Sequence, residues 1–369
     1  MTCCADVVSE YSFGKSTEML KTPDLGRQWR KMFELSMQMH PIGRQFRPLL
    51  VPLLRMTETA ADYIPALEGI KYFEHLIAGL TRPAYERALA AQQSGKSGDP
   101  GEPTSIIEAL ALDARLPLEE RSWQRLCAEA SNLLGAGTET TARTVSSAEK
   151  QFPSTTTTLL TPIPQLAVGL YHILANPKIH NTLLSELKTL MPSPNSPLPS
   201  VTVLAQLPYL TACIHESTRL GHGVAGRLVR IAPDEDLHCH GHTIPRGATF
   251  SMSSYIQHMN AEYFPEPAAF VPERYLGDRE KISATMRYLV PFSRGPRMCL
   301  GMQLAWSEMY LCLASLIGGV EMVLEGTTVE DVEPAMEYFS AVSRADSKGV
   351  LVRVVSNGDG TPRETAVEM

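Results

Sequence analysis

The chain has 369 residues, 44% of them hydrophobic and 20% charged, which is an ordinary globular composition with room for one large domain or two smaller ones. A formal net charge of −7, with Lys and Arg scattered rather than clustered, excludes nucleic acid as a main partner. No stretch approaches the roughly 20 apolar residues of a membrane-spanning helix, and Met1 to Gly14 lacks the basic start of a signal peptide.

Residues 1–90 read as helical, with apolar side chains at helical spacing through Leu49, Leu50, Leu53 and Leu54 and again through Leu67, Ile70 and Phe73. Ser94 to Ser105 is a polar Gly/Pro loop. A long helix is expected from Glu119 to about Thr144, with Trp123, Leu126, Ala130, Leu133, Leu134 and Gly137 on one face. Val145 to Gln165 then brings three prolines and a Thr run, which cannot continue a helix. Helices resume at Leu166, near Leu183 to Leu190, and from Tyr209 to Leu220. Residues 224–256 hold short strand-like pieces around turns such as Pro245-Arg246-Gly247. Residues 263–292 are Pro-rich and read as mostly irregular. A last helix runs from about Leu300 to Leu316 on a stripe of Met302, Ala305, Trp306, Met309 and Leu313, and a polar tail begins at Ser356. The expected class is mainly α with a small β part late in the chain.

The seven cysteines show neither a disulfide framework nor a zinc-pair spacing and read as reduced thiols of a cytosol-facing protein. Cys299 is set apart by its neighbours, Pro291-Phe292-Ser293-Arg294-Gly295-Pro296-Arg297-Met298-Cys299-Leu300-Gly301. Gly295 permits a tight turn, and Gly301 permits close approach of something bulky. A helix starts just beyond, and its aligned peptide dipoles favour a thiolate. Taken alone, a single cysteine before a helix is more often a buried structural residue.

The spacing of Phe292, Gly295, Arg297, Cys299 and Gly301 is similar to the haem-binding signature of cytochromes P450. The resemblance implies that Cys299 is the proximal ligand of haem b iron, that Arg297 pairs with a haem propionate, and that Phe292 packs near the sulfur. Three further segments occur in the family's order. Glu216-Ser217-Thr218-Arg219 puts carboxylate and guanidinium on one helix face. By itself this is an ordinary ion pair, and a metalloprotease reading of His215-Glu216 fails because position 219 is Arg rather than His. By resemblance, Glu216 and Arg219 join Arg274 of Pro272-Glu273-Arg274 in a structural triad. Ala136-Gly137-Thr138-Glu139-Thr140 is odd within a helix. It resembles the family's distal motif, in which Glu139 and Thr140 would form the acid–alcohol pair that manages protons. Arg230, with Arg227 as the alternative, resembles the strand arginine that reaches a propionate.

The likeness extends from near the N-terminus to residue 355, giving a partial P450 domain over 1–355 and a disordered tail over 356–369. The opening residues look like the middle of a fungal, secondary-metabolism member, so the family's membrane anchor and first helices are expected to be missing. Val145 to Gln165 interrupts the expected distal helix. Removing it joins Thr144 to Leu166 with the apolar period intact. The segment therefore reads as a retained intron, or else as a surface loop insertion.

The resemblance implies a monooxygenase that inserts one oxygen atom from O2 into a small apolar organic substrate. NADPH-cytochrome P450 reductase would supply electrons. Family members sit on the cytosolic face of the endoplasmic reticulum membrane, whereas this chain, lacking the anchor, would be cytoplasmic. Two other readings stay open: an inactive P450-like remnant that binds no haem, and an unrelated helical interaction protein. The alternating His238, His240 and His242 would share a strand face and could bind a metal, but the turn residues around them favour exposed hairpin positions.

Overall fold

The computed structural model describes residues 2–24, 68–93, 104–142, 157–158 and 164–357, with isolated positions between 26 and 48. The expected apolar helix at Leu49 to Leu54 and most of the Ser94–Ser105 and Val145–Gln165 segments lie outside the described residues. The chain divides into two compact units, Met1–Ser146 and Ser147–Met369.

The first unit is helical: α1 (Thr2–Phe13), α2 (Glu68–Gln93), α3 (Ile106–Leu112) and α4 (Trp123–Ala142). Cys4, Ala5 and Val8 of α1, Ile77, Leu80, Ala84 and Ala88 of α2, and Leu126, Ala130 and Leu134 of α4 are buried. Each set recurs at three- or four-residue spacing, which puts it on one helix face. The Asp6 carboxylate fastens the chain beyond α1, accepting from Thr17 Oγ1 (2.5 Å), Met19 N–H (2.8 Å) and Leu20 N–H (3.0 Å). Gly137 is explained by packing, since an added Cβ would lie 2.7 Å from Val8 Cγ2.

In the second unit the two-residue strand β1 (Thr157–Thr158) precedes α5 (Pro164–Ala175), α6 (Pro177–Leu187), α7 (Val201–Leu204) and α8 (Pro208–Gly221). Asn176 caps α6 by accepting from the Lys178 and Ile179 N–H groups, with Pro177 pre-set for the first turn. Glu186 of α6 accepts from Tyr209 and Leu210 N–H, both at 2.8 Å, and so caps α8 from a neighbouring helix. Next come β2 (Leu228–Ile231), β3 (Leu237–Cys239), β4 (His242–Ile244), β5 (Thr249–Met252) and α9 (Ser254–His258). They are followed by α10 (Arg279–Tyr288), α11 (Met302–Gly319), β6 (Val320–Leu324), β7 (Met336–Tyr338), β8 (Ser340–Val342) and β9 (Leu351–Asn357). The strands form antiparallel pairs β2–β5, β3–β4 and β7–β8 and a three-stranded sheet ordered β1-β9-β6. The architecture is mostly helical with a few small sheets, as expected.

Three boundaries differ from the sequence reading. Helix α10 falls in the stretch read as irregular; it fully buries none of its residues and meets the Ala212–Tyr275–Leu289 core cluster through the half-buried Met286, so its apolar signal is short, and Asp278 caps it by accepting from Lys281 N–H. Strand β9 runs through Ser356 and Asn357, which pair with Glu321 and Val320, two residues past the expected tail boundary. Within the proposed insertion, Thr157 and Thr158 pair with Val352 and Leu351, and Pro164 and Gln165 open α5.

Helices α5 and α8 lie close because Gly169 faces Ser217: an added Cβ would overlap the Ser217 hydroxyl and lie 2.9 Å from its Cβ. Gly169→Ala should therefore destabilise the protein. Overpacking costs about 1–3 kcal/mol, against a helix-propensity gain of about 1 kcal/mol. A urea midpoint higher than wild type would contradict this.

Candidate active site

A buried carboxylate organises the centre of the second unit. Glu216 Oε1 accepts from Arg219 Nη2 (2.7 Å), Val271 N–H (2.9 Å) and Arg274 Nε (3.2 Å). Its Oε2 accepts from Arg219 Nε (2.7 Å) and Tyr275 Oη (3.2 Å). Glu216 and Arg219 are both 0% exposed. Arg219 also donates to the carbonyls of His258 (3.0 Å), Pro267 (2.6 Å) and Ala269 (2.9 Å), and its guanidinium lies over the Phe264 ring. Arg274 donates to the Glu266 carbonyl at 2.8 Å. The fork of Arg219 thus ties α8 to the segment from His258 to Ala269. The structure brings Glu216, Arg219 and Arg274 together.

The Cys299 segment connects α10 to α11. Its turn is built from two left-handed residues, Ser293 (φ 62°) and Gly295 (φ 80°). Ser293 N–H donates to the Val290 carbonyl (3.1 Å), Met298 N–H to Gly295 (3.0 Å), and Cys299 N–H to Phe292 (2.9 Å). The Phe292 ring meets Trp306 of α11 edge to face at 5.3 Å. Trp306 in turn meets His215 at 5.3 Å, and His215 meets Tyr275 at 5.2 Å. An aromatic chain therefore links the cysteine turn to the Glu216 cluster.

Cys299 is exposed, and its neighbours Met298 and Leu300 are 43% and 86% exposed. Its sulfur is nevertheless partly enclosed: burial raises the thiol pKa, opposed by a hydrogen bond from Gly301 N–H. A Cβ at Gly301 would meet no protein atom within 4 Å, and the Gly301 φ of −83° does not demand glycine. The protein's own packing therefore gives no reason for glycine there, whereas a flat ligand seated on the sulfur does. Arg297 is exposed and Arg230 half-buried on β2, its Nη1 donating to the Val229 carbonyl at 3.0 Å. Neither forms an ion pair among the described residues. A partly enclosed thiol between Met298 and Leu300 in the chain, with two arginines of the same unit outside any ion pair among the described residues, is a donor set that fits an iron porphyrin.

The profile described as Cytochrome P450 matches residues 154–349. Cytochrome P450 monooxygenase ucsK of an Acremonium species is 39% identical over 361 residues, covering 95% of this chain and 64% of its own length. The chain belongs to the cytochrome P450 family. N-acetyltryptophan 6-hydroxylase ivoC of Emericella nidulans is 32% identical over 358 residues, 96% of this chain and 64% of that protein. Cytochrome P450 monooxygenase claJ of Penicillium crustosum is 32% identical over 352 residues, with 95% and 74% covered. The chain thus spans less than two thirds of the first two relatives.

The remaining expected P450 positions divide. Glu139 and Thr140 have helical backbone in α4, but the placement of their side chains lies outside the described residues. Arg227 is exposed just before β2. His238 and His242 sit on an exposed hairpin whose turn residues, His240 (φ 48°) and Gly241 (φ 79°), both take left-handed backbone. No metal-holding cluster of His, Cys, Asp and Glu occurs among the described residues, and no helix there is long and apolar enough to cross a membrane. Sequence reading missed His258, Tyr275 and the partnership of Trp306 with His215. Their contacts join residues far apart in the chain, and no local periodicity signals them.

Proposed function

We propose that this chain is a haem-thiolate monooxygenase that puts one oxygen atom of O2 into a small apolar organic molecule. The observation that carries the reading is the cysteine turn: an accessible sulfur held by Cys299 N–H on Phe292, flanked by a glycine that leaves its face open. The family's hydroxylase members, such as the N-acetyltryptophan 6-hydroxylase above, support it.

Cys299 would bind as a thiolate, helped by Gly301 N–H and by the N-terminal end of α11, a helix of 18 residues. Arg297 and Arg230 would pair with the propionates. Phe292 and Trp306 would shield the sulfur from water. Bound haem would supply the O2 activation: two electrons and two protons are consumed, one oxygen atom enters the substrate and the other leaves as water. Glu139 and Thr140 would hold and pass those protons, since a hydroxyl both donates and accepts. The electrons would come from NADPH through cytochrome P450 reductase at the endoplasmic reticulum membrane, where the family works. The substrate would be apolar, as befits a pocket that must exclude water around a reactive centre.

The test is the carbon monoxide difference spectrum of the reduced, haem-supplemented chain. A red-shifted Soret band that disappears in Cys299→Ala is the expected result. Soluble protein that takes up no haem, or whose band survives Cys299→Ala, would overturn the assignment and leave a P450-like chain without a thiolate–haem centre.

A further inference from the structure

The beginning of the cysteine turn is held by a side chain that nothing above assigns a role. Val290 N–H, two residues ahead of Phe292, donates to Nε2 of His258 at 2.9 Å. Val290 then accepts from Ser293 N–H through its own carbonyl, and Phe292 accepts from Cys299 N–H. Three hydrogen bonds therefore run in sequence from the imidazole to the residue proposed to bind iron.

The ring itself is fixed from several sides. His258 ends α9 and is 0% exposed. Its carbonyl accepts from Arg219 Nη1 at 3.0 Å. Its ring stacks on His222 (centroids 5.9 Å apart, planes at 23°) and meets Phe264 edge-on. One residue is thus attached to the Glu216–Arg219 network by its backbone and to the cysteine turn by its side chain.

From this geometry we infer that His258 is a positioning residue for Cys299: a neutral imidazole, protonated on Nδ1, that sets where the chain leaves α10 and hence where the sulfur is presented. Accepting an N–H on Nε2 requires that nitrogen to be bare, so the neutral ring carries its proton on Nδ1. Nδ1 is buried without a hydrogen-bond partner among the described residues. A buried donor left unmatched costs free energy, and a ring kept only for packing would be better replaced by Phe. The matched acceptor at Nε2 gives the reason for an imidazole here.

The inference rests on the proposed role of Cys299 for its meaning, but its test does not depend on haem uptake. In the full chain without haem, hydrogen exchange of peptides covering residues 290–299 should be about tenfold faster in His258→Phe, the loss expected for one removed hydrogen bond. Peptides from α5 and α11 should be unchanged. His258→Gln, whose amide oxygen can accept the same N–H, should restore protection. With haem, the Phe variant should lose part of the red-shifted carbon monoxide band to an unshifted one, and the Gln variant should regain it. Unchanged exchange in His258→Phe, or a uniform rise across the second unit, would overturn the positioning role. If wild type gave no red-shifted band, the haem reading would fail while the exchange comparison still decided this one. Should His258→Phe not fold, the ring tautomer of wild type, read by nitrogen NMR, decides: Nε2 bare supports the inference and Nε2 protonated overturns it.

Discussion

Glu216→Ala should abolish folding of the second unit. The carboxylate accepts five hydrogen bonds, two of them from an Arg219 that is itself fully buried. Removing it strands a guanidinium in the core, which costs about 3–5 kcal/mol when one partner of a buried pair is lost. The orphaned Val271 N–H and Tyr275 hydroxyl add about 1–3 kcal/mol each. The sum reaches the whole stability of a typical domain, about 5–15 kcal/mol.

The usual remedy for a buried ion pair, replacing both charges by apolar groups, should not work here. Arg219 also satisfies the His258, Pro267 and Ala269 carbonyls, which an apolar residue would leave bare. Arg219→Lys should fail nearly as badly, because one ammonium cannot reproduce the fork that reaches both carboxylate oxygens and three carbonyls. Denaturant titration followed by circular dichroism checks both variants. A Glu216→Ala chain unfolding at the wild-type urea concentration would show that the cluster contributes no stability.

How much of this was legible beforehand follows from where each signal resides. Helices α5, α6, α8 and α11 each bury an apolar face, so their periodicity shows in the sequence. Glu216 and Arg219 sit three residues apart on one helix, and Cys299 lies in a run of fixed spacing, so both could be read locally. Helix α10 was not, because it fully buries none of its residues and meets the core only with half-buried side chains such as Met286. His258 was invisible for a different reason. Its partner lies 32 residues away, and only the folded chain brings Nε2 to Val290. The isolated glycines divide along the same line: Gly295 follows from its backbone angle, whereas Gly137 and Gly169 follow from neighbours on other helices.

Acid should unfold the second unit between about pH 6 and pH 4, a window set by histidine rather than carboxylate. Burial pushes the imidazoles of His172 and His215 down to about 4 and those of His222 and His258 to about 3. For His222 the neighbouring His258 and Arg219 add to the effect of burial, and for His172 the Glu216 carboxylate partly opposes it. A ring whose folded value lies below its unfolded one binds its proton more readily when the chain opens. The stability from a neutral ring is therefore complete above about pH 6.5 and is lost as pH falls toward the folded values. Each unit of depression corresponds to about 1.4 kcal/mol, so four rings lowered by two or more units place the loss on the order of 10 kcal/mol. The Asp331 carboxylate acts later. Although burial works against it, Asp331 is held below the usual range by hydrogen bonds from Thr328 N–H, Ser347 and Arg344, so its contribution fades only below about pH 4. His172 stacks on Phe270 at 5.0 Å, so His172→Phe keeps the ring contact and removes one titrating group. That variant should unfold at lower pH than wild type, while replacing the exposed His238 should leave the midpoint in place. Helical circular dichroism that persists unchanged to pH 4 would mean that these imidazoles accept protons without opening the core.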